Sequence, residues 1–104
     1  MELRRRQLTR RPMFFIVTIE YIKPIEQIEK ATEEHRAFLA KLKAAGKLIA
    51  SGPFQPRTGG LLILKTDTPI QAEMMLRGDP FNVKGLAKYD IRQWKPVIGE
   101  ELFK

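Results

Sequence analysis

Two residues stand out for the chemistry they could do together: His35, the only histidine of this chain, and Asp79, which opens the sequence Asp79-Pro80-Phe81. With no cysteine present, thiolate nucleophiles, disulfides and cysteine-ligated metals are excluded, and proton transfer is one of the few reactions left to these side chains. An imidazole has an intrinsic pKa of about 6.5, so it can accept or release a proton near neutrality. A neighbouring carboxylate would orient it and stabilise its charged form. Everything turns on whether the two groups meet in space. Each also has an ordinary structural use. A lone histidine on an apolar helix face can be a core residue with one satisfied hydrogen bond, and an aspartate before proline can close a turn on nearby backbone amides.

Other side chains qualify for supporting parts. Ser51, followed by Gly52-Pro53 at a strand end, could bond a ligand or stabilise an oxyanion, but it lacks the Gly-x-Ser-x-Gly context of a hydrolase nucleophile. Arg57 could attract an anion from the loop before Gly59-Gly60, or could simply be solvated. Tyr21, Phe54, Phe81 and Trp94 could line an apolar pocket or belong to the core. Gly59-Gly60 has neither the Lys-Ser/Thr of a phosphate loop nor the spacing of a dinucleotide fingerprint. No metal site and no cofactor are expected, since a single histidine would need a cluster of carboxylates around it, and the sequence shows none.

These residues must be positioned by elements that the periodicity announces. Phe14 to Ile19 is β-branched and aromatic on both faces and reads as a first strand. Pro24 suits the start of a helix, along which Ile25, Ile28, Thr32, His35, Leu39 and Leu42 recur at helical spacing until Gly46, a residue fitted to a C-terminal cap. Lys47 to Phe54 and Leu61 to Lys65 read as two further strands, with Gly59-Gly60 as the place where the chain reverses. Thr68-Pro69-Ile70-Gln71 carries a capping threonine, a proline at the first helical position and glutamine three residues after the cap, so a second helix runs to Gly78. Ala87 to Trp94 alternates as a fourth strand, with Tyr89 and Ile91 on one face. Pro96 ends it.

The order β-α-β-β-α-β is that of an α+β ferredoxin-like sandwich, an antiparallel sheet with both helices on one face. Two helices leave the other face bare, and a first strand apolar on both sides would there expose a patch that a second copy could bury. A homodimer, or a higher oligomer, is therefore expected. Composition sets further bounds. The apolar runs are too short to span a bilayer, and the lack of cysteine fits a cytoplasmic protein. Of the net charge of +7, residues 1–12 contribute +4 through Arg4, Arg5, Arg6, Arg10 and Arg11 against Glu2. The expected division is thus a basic arm over 1–12, one domain over 13–96 and a tail over 97–104. Nucleic-acid binding is not expected, because the excess charge is confined to the arm and no aromatic RNA-recognition signature accompanies it.

The segments Ala50-Ser51-Gly52-Pro53-Phe54, Gly59-Gly60 with the apolar run after it, Gly78-Asp79-Pro80-Phe81 with Gly85-Leu86, and Ile91-Arg92-Gln93-Trp94 together resemble the YciI-like (YCII-related) family over about residues 13 to 96. The resemblance implies a dimeric α/β barrel with an active site centred on His35 and Asp79. The wider group includes lactone isomerases and dehydrochlorinases, so it implies a lyase or isomerase acting by proton abstraction on a small organic acid or lactone. His35 would then be the base and Asp79 its orienting partner, with Ser51, Gly52, Pro53 and Phe81 against the substrate. Many relatives carry arginine three residues before the helical histidine; here Thr32 occupies that position and Arg36 follows His35. The competing expectation is a non-catalytic dimer that binds a metabolite as a sensor or accessory subunit.

Overall fold

The computed structural model describes residues 12–103; apart from Pro12, the basic arm lies outside the described residues. Strand β1 (Met13–Tyr21) is followed by helix α1 (Ile25–Ala44), strands β2 (Leu48–Pro53) and β3 (Gly59–Thr66), helix α2 (Pro69–Arg77), a one-turn helix α3 (Pro80–Val83), strand β4 (Ala87–Trp94) and a 3₁₀ turn (Glu100–Phe103). All pairings are antiparallel and the strand order is β2-β3-β1-β4, so the sandwich is ferredoxin-like. No helix among the described residues is long and apolar enough to cross a membrane.

The two-residue period of β1 divides its side chains cleanly. Phe15, Val17 and Ile19 are buried under the helices and are paired with Leu64, Leu62 and Gly60 of β3. On the helix side, Ile28, Ala31 and Leu39 from α1, Ala72 and Leu76 from α2, and Phe81 from α3 close the core. Phe14, Ile16, Leu61 and Ile63 point the other way and remain half-buried, interleaved with the exposed Glu20, Lys88, Asp90 and Arg92. The open face is therefore mixed, not wholly apolar.

Two local features differ from the sequence reading. The chain does not reverse at Gly59-Gly60. Both glycines lie within β3, and neither has positive φ; they are needed because a Cβ on Gly59 would fall 1.8 Å from the Ile19 carbonyl oxygen and one on Gly60 would fall 2.8 Å from that of Gly52. These are close backbone approaches, a recognised use of glycine in strands, and the reversal is made by residues 54–58. The second difference is α3, where the sequence reading places a plain turn. Thr68 does cap α2 as predicted, accepting from the Gln71 amide at 3.2 Å. Gly46 ends α1 at φ 77°.

Candidate functional site

Asp79 sits where two sequence signals coincide. It follows Gly78 at the end of α2 and precedes a proline, which biases it away from helical dihedrals; its φ and ψ are −66° and 127°. Pro80 then starts α3 at the position where a missing amide hydrogen costs nothing, and the Asp79 carboxylate caps that turn by accepting from the Phe81 amide at 3.1 Å. Asn82 fastens the junction by donating its side-chain amide to the Leu76 carbonyl at 3.1 Å.

The same carboxylate is fully buried, so its charge requires partners. Oδ1 lies 2.7 Å from Nδ1 of His35, and Oδ2 accepts from the Tyr89 hydroxyl at 2.6 Å. Burial, followed by the hydrogen bond and the charge of Asp79, holds the Tyr89 phenol well above its ordinary range, so it stays protonated and donates. An ionised carboxylate only accepts. Against an ionised Asp79, Nδ1 of His35 carries the hydrogen, and in the neutral ring Nε2 is then the bare acceptor.

The imidazole plane is fixed as well. His35 stacks on Phe81 with ring centroids 3.9 Å apart and planes 8° from parallel, and Tyr21 meets the Phe81 ring edge-on at 5.8 Å. Nε2 has no hydrogen-bond partner among the described residues, yet no buried side-chain polar atom there lacks one, so this nitrogen reaches solvent. His35 opens onto a cavity of about 340 Å³ between α1, β1 and the β2–β3 hairpin. Ser51, Gly52, Pro53 and Phe81 line it. Ser51 faces inward because its partner across the ladder, Leu62, belongs to the helix-covered face. Asp79 does not line the cavity; it stands behind the imidazole on its Nδ1 side. Among the described residues no three His, Cys, Asp or Glu side chains converge as metal ligands would.

The aromatic residues divide between the two ends of the sheet. Phe81 and Tyr21 border the cavity, whereas Phe54 is partly exposed outside it. Trp94 lies at the far end of the sheet, edge-on to Phe103 at 5.3 Å. Phe103 also meets Phe14 at 5.6 Å, so the end of the expected tail packs on the domain. Sequence reasoning missed Tyr89 as a site residue. Strand alternation puts it on the same face as Ile91, but its approach to Asp79 follows only from the register that sets Tyr89 opposite Ile19.

The YCII-related domain model matches residues 13–95. The chain is 32% identical over 79 residues to the uncharacterised protein YjpA of Bacillus subtilis (strain 168), an alignment covering 72% of this chain and 93% of that protein. In fold it is similar to 5-chloro-2-hydroxyhydroquinone dehydrochlorinase (TftG) from Burkholderia phenoliruptrix AC1100, solved in complex with 2,5-dihydroxybenzoquinone. That similarity has a TM-score of 0.73 at 23% identity and covers 84% of this chain and 98% of the other. The chain is a member of the YCII-related family.

Proposed function

We propose that this protein is a small-molecule enzyme of the lyase or isomerase type, in which His35 moves a proton on a small organic acid or lactone. The observation that supports the reading is the placement of the imidazole, with Nδ1 tied to buried Asp79, Nε2 reaching solvent and the residue bordering the cavity. Nε2 takes a proton from the carbon next to a carbonyl, and the C–H electron pair moves into the carbonyl to form an enolate. Asp79 stabilises the imidazolium that results, and Ser51 or a backbone amide near Gly52 stabilises the enolate oxygen. Return of the proton to a different carbon gives an isomer. Expulsion of a leaving group from the next carbon, as an anion, gives an unsaturated product. The dehydrochlorinase that shares the fold supports this reaction class.

Residues Phe14, Ile16, Leu61 and Ile63 support a homodimer joined through the open sheet face, because they leave apolar surface there that a second copy would cover. Sedimentation at micromolar concentration is expected to give the dimer mass. The chemistry is tested by incubating a panel of small keto acids and lactones with the protein in deuterium oxide and following loss of the proton signal next to the carbonyl. Exchange is expected with the wild type and not with His35→Gln. A protein that only binds its ligand would perturb the His35 resonances without exchanging any proton, and that outcome would replace the enzyme reading by the sensor.

A further inference from the structure

The cavity holds a cation that the proton-transfer chemistry does not use. Arg57, half-buried in the β2–β3 loop, donates through Nη2 to Thr32 Oγ1 at 2.8 Å and through Nε to the Tyr21 hydroxyl at 3.3 Å. Its guanidinium also lies 5.9 Å from the Tyr21 ring centroid, within the range of a cation–π contact. Both acceptors are neutral. No carboxylate among the described residues pairs with it, so the loop carries a held but uncompensated charge to the cavity wall.

The seat is built for the purpose. Thr32 donates its own hydroxyl hydrogen to the Ile28 carbonyl at 2.8 Å, which turns a lone pair toward Arg57. Tyr21, accepting from Nε, keeps its hydroxyl hydrogen for another acceptor. Two of the five guanidinium N–H groups are occupied, which leaves three, including both on Nη1, for a planar anion. Thr32 is one helical turn from His35, and residues three apart share a helix face. An anion on Arg57 would thus be held beside the imidazole, with its apolar part against Ile19, Leu39 and Phe81.

We infer that Arg57, seated by Thr32 and Tyr21, is the residue that selects the substrate, by binding the carboxylate of an organic monoanion whose apolar body fills the cavity. This deepens the reading of the cavity as a substrate site and rests on it. It makes a lactone without a carboxylate the poorer alternative, since that lacks the charge that Arg57 would bind.

The test is calorimetric titration of the full chain with benzoate and with benzamide, its neutral counterpart, at low salt. Wild type is expected to bind benzoate at least about tenfold more tightly than benzamide, as a charge-assisted contact implies. Arg57→Gln should erase that preference, Arg57→Lys should restore part of it, and Thr32→Val should reduce it by removing the seat while keeping the charge. Arg77→Gln serves as the control, because Arg77 is exposed at the end of α2 and does not border the cavity; it should change the preference little. Backbone amide spectra establish that each variant is folded. Equal affinity for the two probes, no benzoate binding by wild type, or a preference that survives Arg57→Gln would overturn the assignment. Deuterium exchange is read separately: a charge preference without exchange leaves Arg57 in place and removes only the catalytic reading.

Discussion

Two hollows lie at opposite ends of the central strand, and the larger is the poorer candidate for chemistry. The one near Met13 and Phe14 measures about 630 Å³ and is bordered by Trp94, Lys95, Glu100 and Phe103. The one near Ile19 and Tyr21 has about 340 Å³. At the larger end the aromatic rings meet edge-on, and the charged groups on the rim have no ion-pair partner among the described residues. At the smaller end, a buried carboxylate, a phenol and an imidazole form one chain of short hydrogen bonds, and a guanidinium is held by two hydroxyls. Size measures how much ligand a hollow could admit. Convergence of oriented polar groups measures what could be done to it.

The largest effect that would break this contrast is at Phe81. Truncation to alanine removes a buried ring together with the surface on which His35 stacks, and should lower stability by about 3–5 kcal/mol in denaturant titrations. Phe103→Ala, at the other end, should cost about 1 kcal/mol, because its partners Trp94 and Phe14 are already partly exposed and lose little buried area. Comparable losses at both ends would remove the distinction.

Asp79→Asn tests the polar chain itself. The amide presents an N–H₂ where either His35 or Tyr89 already donates, and a buried mismatch of this kind costs about 1–3 kcal/mol. The same substitution should slow proton exchange by about 100-fold or more, the usual scale of losing an oriented acid–base group. A fall in stability with exchange unchanged would leave Asp79 as an ordinary helix cap.

Tyr89→Phe takes the donor away from Asp79 Oδ2 and should cost about 1–3 kcal/mol at neutral pH, with a diagnostic effect in alkali. The phenol keeps its proton in the folded protein while the unfolded chain loses it near a pH of about 10. The unfolded state then binds fewer protons, so stability present below that pH declines as the pH rises through it. Melting temperatures of the phenylalanine variant should decline less steeply above about pH 10 than those of wild type. Parallel curves would show that Tyr89 is not held as described.

Much of this arrangement could be read from the sequence because it follows from local rules. The apolar stripe that carries His35, the Thr68 cap and the strand alternation each depend on near neighbours, and so does the turn-forming habit of Asp79, which proved compatible with its contact to His35. What escaped depends on distant backbone. Gly59 and Gly60 look like a turn until the neighbouring carbonyls are in place. Tyr89 is one inward residue among several until the sheet register brings it to Asp79. Arg57 is an ordinary loop arginine until the hairpin folds its side chain back onto Thr32.

Asp79 should fix His35 with a hydrogen on Nδ1 and a bare Nε2. Long-range proton–nitrogen NMR spectra of this single histidine, acquired where the ring is neutral, measure that directly. The Nδ1–H form should dominate in the wild type and give way to a mixture in Asp79→Asn. A wild-type ring that carries its hydrogen on Nε2, or a tautomer indifferent to the Asp79 substitution, would show that Asp79 does not orient His35.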